Sequence, residues 1–209
     1  MSAAKQQAMP WGALSGDRLP DWETPWALYR EIERRYAHGA RFTVDVCASD
    51  SNAKCPRHFT AERSCLEHPW GEVGSAEVAW LQPPFGEIGQ MVARAVEQLD
   101  QRRIVQCVGF FPARTDRAWW DRFITRRAAR VILPRGRATF VPPEGFDGKV
   151  TSHAEPMAIV IWEHPLELPP LCRDQPRPDL LGVLIEARKE MAAQGVELDP
   201  LKLIKELDR

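Results

Sequence analysis

The chain has 209 residues and a mass of 23.8 kDa, with 44% hydrophobic and 27% charged residues and a net charge of −1. That length suits one globular domain with a short appendage, and the composition excludes disorder as the main state. No apolar run reaches membrane-spanning length (the longest clean stretch is Met157 to Trp162), and the first fifteen residues hold no apolar signal core, so a cytoplasmic protein without membrane contact is expected.

Residues 1–20 read as a flexible lead. At Thr24-Pro25 the signals change: Thr can cap a helix, and Pro suits its first turn. Leu28, Ile32 and Tyr36 recur at helical spacing, and Gly39 fits the stop. Residues 42–47 (FTVDVC) predict a strand, followed by a polar turn at 49–52. Residues 78–81 (VAWL) predict a second strand, ended by Pro83-Pro84, which cannot continue a central strand. Ile88, Met91, Val92, Ala95, Val96 and Leu99 then share one helical face. Residues 104–111 (IVQCVGFF) form a nearly continuous apolar run, as in a strand covered on both faces. A helix is expected over 116–129, and strands over 131–133 and 157–162.

Strands alternating with helices predict an α/β domain with a largely parallel sheet. The proline-rich stretch 165–178 reads as a semi-rigid linker. Beyond it, Leu181, Leu184, Ala187 and Met191 outline an amphipathic helix, and Leu201, Ile204 and Leu207 a shorter one. The expected organisation is a lead at 1–20, a main domain at 21–165, and a linker with C-terminal helices at 166–209. Those helices suit packing on the domain, self-association or a partner equally, which leaves the oligomeric state open.

The five cysteines include no CxxC pair, which argues against a disulfide scaffold and for reduced thiols. Cys55, His58, Cys65 and His68 have zinc-ligand chemistry, but their two pairs lie close for a closed site, and no metal is expected.

The charge is unevenly placed. Residues 101–140 hold ten arginines, no lysine and two acids, Asp116 and Asp121, a net of +8 (10 − 2). The remainder sums to −9 (−1 − 8). A solvated surface accounts for such a block, and so does phosphate neutralisation within a neutral chain.

The segment Trp80-Leu81-Gln82-Pro83-Pro84-Phe85-Gly86 stands at a strand end, where function gathers in α/β sheets. The Gln82 side-chain carbonyl and a rigid Pro carbonyl can both accept from one planar amine, and Phe85 offers a face for stacking. Two acceptors on one NH2 hold it and favour the positive charge that develops as its nitrogen attacks an electrophile.

From about Asp21 to about Trp162 the chain resembles the phage-type DNA N6-adenine methyltransferases, small S-adenosylmethionine-dependent enzymes common in phages and prophages. The blocks that carry the resemblance are D-W-E-T-P at 21–25, V-D-V-C-A-S at 44–49, N-A-K-C at 52–55, W-L-Q-P-P-F-G at 80–86, P-A-R-T-D at 112–116 and W-W at 119–120. The resemblance implies a Rossmann-like methyltransferase fold with S-adenosylmethionine as cofactor and DNA as partner, in a bacterial host cytoplasm if phage-encoded. It implies that Gln82, Pro83, Pro84 and Phe85 bind the target amine and stack on a flipped base. It places Thr24 and Pro25 at the methionine end of the cofactor, Asp45 at its amino or ribose group with Ala48 and Ser49 beside it, and Arg114, Thr115 and Asp116 along the same cleft.

Gln82 stands where this family more often has Asn, and Phe85 where Tyr is commoner. There is no GxGxxG loop, and 37 positions (82 − 45) separate Asp45 from Gln82, so the cofactor half is expected to be shortened. Arg126, Arg127, Arg130, Arg135 and Arg137 are the expected phosphate contacts. Trp119 and Trp120 are read mainly as core. The same tetrapeptide chemistry serves N4 of cytosine or an RNA base, and an inactive DNA-binding protein on this fold remains a further alternative.

Overall fold

A computed structural model of the chain describes residues 22–164 apart from 144 and 149. The expected lead at 1–20 and the linker and helices at 166–209 therefore lie outside the described residues.

The first helix, α1, runs Trp26–Tyr36 and buries Leu28, Tyr29, Ile32 and Tyr36 along one face. Pro25, not Thr24, takes the capping position, and no side chain caps the helix. The expectation that Thr24 caps fails because its hydroxyl is bonded elsewhere, to Gln82. Gly39, at φ +67°, turns the chain after α1.

The strands are β1 (Val44–Asp45), β2 (Arg57–His58), β3 (Val78–Leu81), β4 (Gln106–Pro112), β5 (Arg130–Ile132) and β6 (Met157–Glu163). They form one sheet in the order β2-β1-β3-β4-β6-β5. The first four pair in parallel, and β6 is antiparallel to both β4 and β5. This is the mixed, mostly parallel α/β sheet expected of a Rossmann-like fold.

Helix α2 (Ile88–Asp100) packs on one face of the sheet and α1 on the other. Strand β3 shows why both faces are apolar. Val78 and Trp80 join the α1 side, whereas Ala79 and Leu81 join the α2 side. Every residue of β4 is buried, as a doubly covered strand requires.

A continuous helix over 116–129 is not what forms. A single turn, α3 (Ala118–Trp120), continues as a π-helical turn at Asp121–Thr125. Trp120 is buried there. Trp119 is half-buried, edge-on to Phe111 at 6.2 Å, and a Cβ on Gly89 would lie 3.0 Å from its ring.

Strand β2 is absent from the sequence expectations, since two polar residues carry no apolar period. Residues 46–77 otherwise hold no helix among the described residues. The half of the sheet beyond β1 is thus shortened to a single two-residue strand, as expected.

From β1 the chain moves outward to β2, then returns to β3 on the other side of β1. Strand order therefore reverses between β1 and β3. In open α/β sheets that reversal marks the ligand crevice, at the carboxyl ends of the strands. Asp45 ends β1, and Gln82 follows the last residue of β3.

Candidate active site at the β1–β3 switch point

The two prolines stop β3 and turn the chain into α2, with the Glu87 N–H donating to the Pro84 carbonyl at 2.9 Å. The Phe85 carbonyl accepts from the Arg114 guanidinium at 2.8 Å. Among the described residues no donor meets the Pro83 carbonyl, although Pro83 is buried. Of the three carbonyls in Pro83-Pro84-Phe85, the first is therefore the one without a donor among the described residues.

The Gln82 carboxamide is held by the segment before α1. Its Oε1 accepts from the Thr24 N–H at 3.2 Å and from the Thr24 hydroxyl, and its Nε2 donates to the Trp22 carbonyl at 3.4 Å. That segment is anchored in turn. Glu23 exchanges two backbone hydrogen bonds with Val141, and its carboxylate pairs with Lys54 at 2.9 Å. The Lys54 ammonium also lies 4.2 Å from the Trp26 ring centroid.

Phe85 is half-buried, edge-on to His153 at 5.0 Å and to Phe140 at 5.8 Å. Burial lowers the His153 pKa, which favours the neutral ring beside this aromatic group. Arg114 forks onto Glu155 at 2.7 and 2.8 Å while holding the Phe85 carbonyl. It thereby joins the ends of β3 and β4 to the segment before β6. The Glu155 carboxyl is held below its ordinary range, chiefly by the hydrogen bond from Arg114. Thr115 and Asp116 follow Arg114 at the end of β4 and are exposed.

Asp45 is 2% exposed. Its carboxylate accepts from the Cys47 N–H at 3.2 Å and the Lys54 N–H at 3.0 Å, which closes the loop carrying Ala48 and Ser49. Ser49 itself is set by the Asn52 side chain, which accepts its N–H at 2.8 Å. Burial outweighs these bonds and raises the Asp45 pKa to about 6.

The folded carboxyl therefore binds its proton more tightly than an unfolded one, at about 3.9. The folded state loses stability as pH rises between about 4 and 6, and the loss is complete above that window. The stability advantage of Asp45→Asn over the wild type is expected to grow across pH 4–6 and then level off, superimposed on a constant offset from the altered hydrogen bond. Thermal melts of both proteins from pH 4 to 8 check this; a pH-independent difference would contradict it.

The arginine block does not form one surface. Because β6 is antiparallel to both β4 and β5, β5 runs parallel to β4. Arg135 and Arg137 follow β5, so they stand at the same sheet edge as Gln82–Phe85, with Gly136 at φ +93° turning the chain between them. Arg126 and Arg127 precede β5, towards the opposite edge. There Arg127 pairs with Asp100 at the end of α2, and Arg126 pairs with Asp121 at 2.8 Å. Arg130 opens β5 near that same edge.

The Cys/His pairs do not converge. Cys55 packs on the α1 side with Sγ 3.4 Å from the Tyr29 hydroxyl, while Cys65 lies on the α2 side with Sγ 3.4 Å from Met91 Sδ. His58 pairs with Asp50 at 2.9 Å, and His68 is exposed.

Sequence reasoning missed Trp22, Glu23, Lys54, Phe140, His153 and Glu155 as site residues. The first three lie inside the quoted blocks D-W-E-T-P and N-A-K-C, which is their sequence-level signal; the last three have none and reach Phe85 only through sheet order.

The chain matches the family model described as DNA N-6-adenine-methyltransferase (Dam) over residues 15–192. It is also 26% identical over 153 residues to the DNA N-6-adenine-methyltransferase of Escherichia phage T1, a match covering 73% of this chain and 59% of that protein. This chain thus spans less than two thirds of the relative's length. Among the described residues, no helix is long and apolar enough to cross a membrane. The family match takes in both strand ends at the switch point and every block described above, and on it the chain belongs to the DNA N-6-adenine-methyltransferase (Dam) family.

Proposed function

We propose that this chain methylates the N6 amino group of adenine in DNA, with S-adenosylmethionine as methyl donor. The observation that carries this reading is the pair of acceptors at the end of β3: Gln82 Oε1, and the Pro83 carbonyl, which meets no donor among the described residues. Two acceptors from adjacent residues suit the two N–H bonds of one exocyclic amine.

The residues at the switch point fit the cofactor's polar groups. Asp45 uses one lone pair on each oxygen for the loop, which leaves acceptor capacity for an amino or hydroxyl group. Ala48 and Ser49 border it, and Thr24 and Pro25 line the approach beside Gln82. When bound, S-adenosylmethionine supplies an electrophilic methyl group. The chain's own part is to hold the amine at Gln82 and Pro83, to favour positive charge on its nitrogen, and to stack the base on Phe85. Arg114 fixes the Phe85 backbone.

A duplex base must be flipped to reach this site, at a cost of a few kcal/mol. Arg135 and Arg137 stand at the same edge and serve as phosphate contacts, whereas Arg126, Arg127 and Arg130 lie towards the other end of the sheet. Replacing Arg135 and Arg137 with Ala is expected to weaken DNA binding and to flatten the slope of log K against log salt by roughly 0.9 per lost contact. Replacing Arg126 and Arg127 should leave the slope unchanged. Binding titrations at several salt concentrations check both, and the reverse outcome would move the DNA to the opposite edge.

The reading as a whole is tested by incubating the protein with unmodified DNA and cofactor labelled at the methyl group. Label entering DNA is the expected result. No transfer at any salt concentration would favour an inactive DNA-binding protein on this fold.

A further inference from the structure

The Gln82 carboxamide is already committed before any base arrives. Its partners settle which side is oxygen, because a backbone N–H meets only an acceptor and a backbone carbonyl only a donor. Thr24 N–H thus faces Oε1, and the Trp22 carbonyl faces Nε2. A carboxamide oxygen has two lone pairs, and Thr24 fills both, one through its N–H and one through its hydroxyl. Thr24 is fully buried, and Glu23 beside it is fixed by Val141 and Lys54.

The two Thr24 donors differ in kind. The N–H is fixed by a backbone that the Glu23–Val141 bridge and α1 hold in place. The hydroxyl proton turns freely about its C–O bond. An amine approaching Oε1 can replace the second donor but not the first.

We propose that Thr24 is a positioning residue that works by exchange: its N–H keeps the Gln82 carboxamide oriented, and its hydroxyl yields its place on Oε1 to the target amine. This rests on the reading of Gln82 as an acceptor for that amine. The amine's hydrogen bond to Gln82 then replaces one already made. Part of the discrimination between a base with an exocyclic amine and one without it is therefore cancelled. Removing the hydroxyl restores that part.

The test measures binding of the full chain to a duplex carrying a site that the wild type methylates, with either adenine or unsubstituted purine at the target position. The ratio of the two dissociation constants is compared in wild type, Thr24→Val and Thr24→Ser. The preference for adenine is expected to rise about fivefold in Thr24→Val, the weight of one net hydrogen bond, and to stay at the wild-type value in Thr24→Ser. If Thr24→Val does not fold by its thermal melt, Thr24→Ala gives the same comparison with the same expected rise. A merely structural Thr24 would weaken both duplexes alike, so an unchanged ratio in a folded hydroxyl-free variant overturns the exchange. Methyl transfer at the wild-type rate by Gln82→Ala overturns the Gln82 reading itself, and is recognised because it needs no Thr24 variant.

Discussion

Gln82→Ala is expected to lower the rate of methyl transfer to DNA by about 10²–10³-fold while cofactor binding stays within about twofold. That range is what loss of one preorganised hydrogen-bonding group at a reacting centre typically costs. The Gln82 side chain hydrogen-bonds the segment before α1, so its removal also unties Trp22 and Thr24. A thermal melt separates the two effects, because the lost neutral hydrogen bonds cost about 1 kcal/mol each in stability. Phe85→Ala is expected to act on the base more than on the turn, since Arg114 holds the Phe85 main-chain carbonyl whatever the side chain. Loss of base stacking of about 1–3 kcal/mol appears as weaker binding of target DNA. Single-turnover transfer and equilibrium cofactor binding on the same preparations check both variants, and full activity in either would remove that residue from the reaction.

Trp80→Ala carries the largest expected effect on stability, about 3–5 kcal/mol. Trp80 lies two residues before Gln82 and is 1% exposed. Its ring meets Tyr29 at 5.4 Å, Phe42 at 5.3 Å and Phe110 at 6.4 Å, tying α1 and β4 to β3 from behind the site. Tyr29, Phe42 and Phe110 belong to separate parts of the chain, so the space left cannot close by moving one element. The melting temperature should fall by about 10 °C. A cost under about 1 kcal/mol would mean that the cluster repacks, and that β3 is not held from the α1 side.

The part of the site that the sequence revealed is the part made locally. Val78–Leu81 followed by two prolines states both a strand and its end, and Ile88 to Leu99 states the face of α2. The apolar run at 104–111 announces a doubly covered strand, and β4 is one. Contacts made across the chain carried no such signal. Thr24 reads as a helix cap because capping is local, yet its hydroxyl is drawn to an acceptor 58 positions away. The arginines read as one block because they lie close together in sequence. The antiparallel β6 sets the direction of β5, however, and that direction parts Arg135 and Arg137 from Arg126 and Arg127. His153 and Glu155 meet Phe85 and Arg114 only because β6 inserts beside β4. Arg57–His58 has no apolar alternation to mark it, and becomes a strand only by pairing with β1.

The central claim is that the β1–β3 switch point presents an exocyclic amine of DNA to a methyl donor. Its most direct measurement is mass-spectrometric nucleoside analysis of unmodified DNA after incubation with the protein and S-adenosylmethionine. The expected result is N6-methyladenine from the wild type and its near-absence with Gln82→Ala. N4-methylcytosine without N6-methyladenine, or equal N6-methyladenine from both proteins, would contradict it.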